Sequence, residues 1–274
     1  MAPARDDRSP VRFFLLVFAL STPIWLLGAV SRRQLSADLP VSSFVWVCPT
    51  VAAGVLVWRE GGRAGVKRLL RRAVDWRRIR DRRWYLPIVL LQPAVYAATY
   101  GVLWLTGSRL PEVRFPLAAG VAQLTGFLVA AEFEELGWSG YALEPLQRRG
   151  GALGAGVVLG LVWAGFHLVP LVQHGRSAGW IGWWTLGTVG LRVLMTWVYN
   201  HTGGSVFGAA LLHAMGNLSG IGPFLDFGPG GYPYDAQRVS GLLLAGAAAV
   251  VTAVWGPRTL AGRRHHQTAM TARR

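Results

Sequence analysis

Glu132-Phe133-Glu134-Glu135-Leu136-Gly137-Trp138-Ser139-Gly140-Tyr141-Ala142-Leu143-Glu144 follows directly on a run, Phe115 to Ala131, that is apolar enough to enter a lipid bilayer. The stretch holds four of the six glutamates in the 274-residue chain, so its acidity is not random scatter. An ionised side chain near the middle of a membrane costs at least ~2.5–3.5 kcal/mol on insertion scales, so a carboxylate retained there needs a partner, a hydrated cavity or a chemical task.

Working outward, the composition is that of a membrane protein. Hydrophobic residues make up 52 % and charged residues 15 %, with 13 tryptophans, which is too apolar for a soluble globular domain. The apolar segments predict an all-α, polytopic fold with about eight transmembrane helices. The spans are Phe13–Val30, Val41–Trp58, Trp84–Thr106, one from Pro116 through the acidic stretch to Gln147, Ala152–Val172, Gly179–Tyr199, one from Ser205, and Val239–Trp255. Residues 13–30 read as a retained first span rather than a cleaved signal, because further spans follow and no small-x-small site is evident. Residues 1–12 form an N-terminal segment, 13–256 a single membrane domain, and 257–274 a basic tail whose His265 and His266 belong to a stretch expected to be disordered. The Pro-, Gly- and Tyr-rich stretch Gly222–Arg238 reads as a loop.

The net charge of +15 is segregated. Residues 59–83 carry eleven Lys or Arg against three acids, and Val66, Leu69, Leu70, Ala73 and Trp76 recur among them at helical intervals, the pattern of a helix lying on the membrane surface. With Arg148, Arg149 and the tail, these charges fall on one side of an eight-span chain. The positive-inside rule makes that side the cytoplasm, with both termini in it and the protein in the plasma membrane; Arg32 and Arg33 run against this count. Membrane lipids are the partners such charges predict. No aromatic-interleaved basic patch points to nucleic acid. The single Cys48 excludes an internal disulfide.

Individual breaks are also predicted. Pro87 and Pro93 are placed to bend or open the third span. Arg148-Arg149-Gly150-Gly151 ends the fourth. Thr202-Gly203-Gly204-Ser205 is a turn in which Ser205 caps the seventh helix and the glycines relieve backbone strain. Glu144 is read as an ordinary i to i+4 ion pair with Arg148.

Polar residues stranded in later spans meet the glutamates in depth. At ~1.5 Å per residue, Glu134 lies ~20 Å from the cytoplasmic face, His167 ~23 Å, His213 ~12 Å and Asn217 ~18 Å. Residues four apart share a helix face, so His213 and Asn217 can address one object and Trp163 can pack beside His167. Glu134 and Glu135 differ by about a hundred degrees of helix rotation, so one can face a cavity while neighbours hold the other. Arg192 in the sixth span is either a counter-charge or a snorkelling residue. The sequons at Asn200 and Asn217 sit where modification is not expected.

Glu134-Glu135-Leu-Gly-Trp138-Ser139-Gly140-Tyr141, then Trp163-x-x-x-His167, then His213-x-x-x-Asn217 resembles the three-motif signature of the CPBP family (CAAX proteases and bacteriocin-processing enzymes, the Abi family), over about residues 120–220. The resemblance implies an eight-span intramembrane endopeptidase. Its general base is Glu134, which activates a water that His167 positions, and its oxyanion donors are His213 and Asn217. Glu135 is the second acid of the first motif. The substrate is a membrane-associated peptide or lipidated protein. The family's long-standing description as metalloproteases makes zinc a candidate cofactor, with Glu134, His167 and His213 the candidate ligands; the absence of His-Glu-x-x-His favours a glutamate-dependent mechanism.

One position departs from the family. The motif is Glu-Glu-x-x-x-Arg, and its arginine position holds Ser139. Either another cation such as Arg192 substitutes, or the glutamate protonates more readily. The alternative function is therefore an impaired member acting in bacteriocin immunity or binding a membrane partner. A proton-coupled transporter is a further alternative, though the related halves and discontinuous helices it calls for are not evident.

Overall fold

A computed structural model describes residues 8–31, 34–36, 39–114, 116–221 and 232–261. Arg32, Arg33, Phe115, residues 222–231 of the expected Gly222–Arg238 loop, and His265 and His266 of the tail lie outside the described residues; the end of that expected loop is instead helical from Tyr234.

The fold is all-α. Its helices are α1 (Pro10–Ser31), α2 (Cys48–Leu70), α3 (Tyr85–Leu105), α4 (Leu117–Gly137), α5 (Leu143–Gln173), α6 (Ala178–His201), α7 (Val206–Ile221) and α8 (Tyr234–Trp255). A two-stranded antiparallel ribbon, Gln34–Ser36 with Leu39–Pro40, and a 3-10 turn, Val41–Val47, join α1 to α2. Among the described residues, five segments are long and apolar enough to cross a membrane, one of them the continuous 57-residue run Leu117–Gln173 that contains both α4 and α5. The 16-residue α7 is apolar but shorter than a full crossing. Large apolar side chains face outward along the helices, Val30 at 84 % and Leu117 at 78 % exposure among them. In a bilayer they meet hydrocarbon, where outward leucines and valines cost nothing.

Several local expectations are met. Gly151, at φ 71°, breaks α5 within the expected Arg148–Gly151 stop. Gly203 and Gly204 both have positive φ, and Ser205 Oγ accepts the amide of Gly208 at 3.0 Å as the cap of α7. The third span is not opened by its prolines: α3 runs unbroken through Pro93, and Pro87 falls in its first turn, where an amide has no partner to lose.

Further expectations are corrected. The helix of span four does not continue regularly to Gln147; a π-helical turn, Trp138–Ala142, separates α4 from α5. The basic segment is not one surface helix. α2 kinks at Gly61 and Gly62, resumes to Leu70, and passes into 3-10 turns at Arg71–Val74, Trp76–Arg78 and Arg82–Trp84. The regular helix ends there because Arg72 and Asp75 turn inward to polar partners, described below.

One end of the bundle gathers the basic connections. Arg8 reaches Glu144 at 2.8 Å, and Arg72 reaches Tyr199 Oη at 2.8 Å. The carbonyls of Arg258 and Pro257 accept the amides of Ala152 and Leu153, and Asn200 donates to the carbonyl of Thr259. The segments before α1 and after α8 therefore meet at the same end. Glu144 is held by Arg8 and Tyr199 rather than through the i to i+4 pairing expected from sequence.

Candidate functional site

Four helices build the site. α4 brings Glu134 and Glu135 to its last turn, α5 brings Trp163 and His167, α6 brings Arg192, and α7 brings His213 and Asn217.

The two glutamates have separate environments. Glu135 is completely buried and saturated. Arg192 grips it in a fork, Nη1 to Oε2 at 2.7 Å and Nη2 to Oε1 at 2.6 Å. Ser139 Oγ, one turn along, also donates to Oε2, and His213 Nδ1 lies 3.2 Å from Oε1. A buried charge is tolerated when its lone pairs are filled in this way, and a bidentate guanidinium fills them with fixed geometry. Arg192 is itself buried, with its guanidinium 4.1 Å above the ring of Trp163. Of the two roles open to Arg192, the structure places it as a counter-charge, and the cation missing from position 139 arrives from another helix.

Glu134 has a different set. Its Oε2 accepts the indole N–H of Trp163 at 2.7 Å and that of Trp138 at 3.3 Å. Both indoles address the same oxygen, and neither carries charge.

Trp163 stands at the centre. Its ring centroid lies 5.2 Å from that of His167 and 4.9 Å from that of His213, both edge-on. His167 Nδ1 is 2.9 Å from the carbonyl of Trp163. A carbonyl only accepts, so Nδ1 carries the hydrogen and the neutral ring presents Nε2 as an acceptor. By the same argument His213 Nδ1 donates to the Glu135 carboxylate. Glu134, Glu135, His167 and His213 therefore converge around one indole. Asn217 sits one turn beyond His213 on α7 and is half-buried.

The π-turn sets these directions. A wider turn leaves backbone carbonyls without helical partners, and here arginines supply them. Gly140 O accepts from Arg72 at 3.0 Å and from Arg8 at 3.2 Å, and Tyr141 O accepts from Arg8 at 3.3 Å. At the other side of the site, Asp75 caps α7 from 130 residues away. It accepts the hydroxyl of Ser205 at 2.8 Å and the amides of Phe207 and Val206 at 3.1 and 3.3 Å. Sequence reasoning misses Arg8, Arg72, Asp75 and Tyr199, which look like ordinary surface and interface residues until the chain is folded.

The zinc candidates do not fit a metal ion as placed. Although these side chains gather around Trp163, among the described residues no three His, Cys, Asp or Glu side chains are grouped so that they could hold a metal ion. The carboxylate nearest to His213 is occupied by the Arg192 guanidinium, whose charge opposes a dication beside it.

Compared with protein families, residues 115–219 match the one described as "Type II CAAX prenyl endopeptidase Rce1-like". That stretch includes Glu134, Glu135, Trp163, His167, Arg192, His213 and Asn217, while Arg8, Arg72 and Asp75 lie outside it. No match was found among curated proteins.

Proposed function

We propose, for a chain whose residues 115–219 match the Rce1-like CAAX endopeptidase family, that it hydrolyses a peptide bond of a membrane-associated peptide or protein with Glu134 as general base. The observation that carries this reading is the division of labour between the two glutamates. Glu135 is fully engaged and has no capacity to take a proton without losing Arg192. Glu134 has one oxygen held by two neutral indoles, which leaves Oε1 for a water.

The steps follow from the tautomers. His167 Nε2 accepts a hydrogen bond from one O–H of the water and orients it, Glu134 Oε1 takes the proton of the other O–H, and the resulting hydroxide oxygen attacks the scissile carbonyl carbon. The oxyanion that develops is met by the amide of Asn217 and by Nε2 of His213. With Nδ1 of His213 committed to Glu135, Nε2 donates to the oxyanion only when the ring is the imidazolium. Each such donor contributes ~2.7–4 kcal/mol to the transition state. The tetrahedral intermediate collapses with cleavage of the C–N bond, and protonated Glu134 returns its proton to the departing amine.

Arg192 supports catalytic competence despite Ser139, since Glu135 retains a guanidinium partner. The gathering of the basic connections at one end supports a cytoplasmic face for that end and for both termini, in the plasma membrane. The test is cleavage by the purified protein in proteoliposomes of peptides with and without a prenylated C-terminal cysteine. Hydrolysis that is lost in Glu134→Gln and in His167→Ala is the expected result. Equal cleavage by Glu134→Gln and parent removes Glu134 from the mechanism, and no hydrolysis of any peptide by the parent favours a binding or immunity role.

A further inference from the structure

Between Trp58 and Asp75 the chain forms a strut with two unlike faces. Its inner face belongs to the site. Glu60 accepts the hydroxyl of Tyr141, in the π-turn, at 2.6 Å. Arg72 binds Gly140 O of the same turn, together with Tyr199 Oη and, at 2.6 Å, Gly204 O. Asp75 caps α7. Three side chains on one short segment thus hold both halves of the candidate machinery, the turn that orients Glu134 and the helix that carries His213.

The outer face is a shallow groove with apolar walls and a basic rim. Trp58, Leu70 and Val74 are 53 %, 51 % and 58 % exposed, and Val66 lies between them. Arg63, Lys67 and Arg71 line the same groove, and Arg63 and Arg71 are exposed. The kink at Gly61 and Gly62 follows directly on Trp58 and Glu60, so the groove begins where α2 leaves its first course. Apolar side chains beside three cations match an acyl chain joined to an anionic headgroup. Neither a free phosphate nor a neutral lipid answers both halves.

We propose that this groove binds an anionic phospholipid, and that its occupancy orders the strut so that the π-turn and α7 hold their positions. The lipid site stands independently of the protease reading; its effect on turnover rests on that reading. The lipid enters as a structural ligand of α2, and it acts on Glu134 through Glu60, Arg72 and Asp75.

The test separates the two parts. Purified protein is loaded with mixed phosphatidylcholine and phosphatidylglycerol, and retained lipid is measured by native mass spectrometry. The parent is expected to keep phosphatidylglycerol in preference to phosphatidylcholine. The triple variant Arg63→Gln/Lys67→Gln/Arg71→Gln is expected to lose roughly tenfold or more of that preference, from the contribution of each basic residue near an anionic headgroup. Arg77→Gln/Arg80→Gln/Arg82→Gln removes the same charge outside the groove and is expected to keep the preference. Equal loss in both triples, or no preference in the parent, overturns the site. Hydrogen exchange of the amides at 138–142 is then compared in vesicles with and without phosphatidylglycerol. Slower exchange with the anionic lipid in the parent and in the control triple, absent in the groove triple, supports the coupling, and exchange indifferent to lipid overturns it. The parent alone in the two vesicle types gives a variant-free check should a triple fail to fold. Peptide hydrolysis that stays lipid-independent while exchange responds sinks the link to turnover without touching the lipid site.

Discussion

Arg192 on α6 closes a two-point fork on Glu135 of α4, with contacts of 2.7 and 2.6 Å and both side chains withdrawn from solvent. This pair replaces, from a different helix, the cation that the family motif would have placed one turn along α4. Serine at 139 is then a neutral third donor to the same carboxylate.

Removing the fork exposes its worth. Arg192→Met leaves a buried, uncompensated carboxylate, a change that costs about 3–5 kcal/mol in such settings. A fall of several degrees in the apparent unfolding temperature in detergent is expected. Ser139→Arg added to Arg192→Met is expected to recover part of it, because a guanidinium at 139 reaches the same oxygens by the i to i+4 spacing on α4. A double variant no more stable than Arg192→Met alone refutes the equivalence of the two positions.

The glutamates are expected to separate by phenotype. Glu134→Gln keeps an oxygen for the indoles of Trp138 and Trp163, so the fold is expected to hold while hydrolysis falls by at least a hundredfold, as loss of a general base contributes about 10²–10⁴. Glu135→Gln breaks the pairing with Arg192 and is expected to lower the unfolding temperature. Parallel thermal melts and peptide-cleavage rates decide the point; the reverse pattern exchanges the two roles.

Much of this arrangement is legible from sequence for one reason: polar residues in apolar helices are few, and those few have to meet. Depth along each helix is enough to expect Glu134, His167 and His213 to meet, as they do around Trp163, and the Arg148-Arg149-Gly150-Gly151 run is enough to mark the break in α5. Rotation and long-range pairing are not legible. The residues Trp138–Ala142 contain no local signal that distinguishes a π-turn from an α-turn; the wider turn is held by Arg8 and Arg72, which lie 132 and 68 residues from Gly140. Amphipathic spacing extends the basic segment as a helix to Trp76, yet the α-helix ends at Leu70 and gives way to 3-10 turns because Arg72 and Asp75 find partners inside the bundle. Periodicity reports which face is apolar and is silent on which polar residue has a destination.

Trp163 offers a narrower test of the site. Trp163→Phe keeps an aromatic ring beside His167, His213 and Arg192 and removes the N–H that reaches Glu134 at 2.7 Å, together with part of the indole's bulk. A hydrogen bond to a charged group contributes about 1.5–3 kcal/mol. If that bond orients Glu134 for proton transfer, kcat falls roughly tenfold or more with little change in KM. A change confined to KM assigns Trp163 to substrate binding instead.

Gly137 tests whether the end of α4 is fixed from behind. A Cβ on this residue would stand 2.6 Å from the carbonyl oxygen of Pro49 in the first turn of α2, a backbone atom that cannot swing aside. The same contact region includes the hydroxyl of Thr50 donating to the carbonyl of Phe133. α2 and α4 are thus pressed together one residue before the π-turn and two residues after Glu135. Gly137→Ala must push the helices apart, at a cost of about 1–3 kcal/mol for an overpacked contact, and any displacement falls first on the turn that carries Ser139. Gly126→Ala is the matched control on the same helix, since a methyl added there would have no neighbour within 4 Å. The expected outcome is a lower unfolding temperature and reduced hydrolysis for the variant at 137, with the variant at 126 unchanged or slightly stabilised by the better helix propensity of alanine. Two variants that behave alike would mean that α4 is free to shift against α2, and that the position of Glu134 is set from the π-turn side alone.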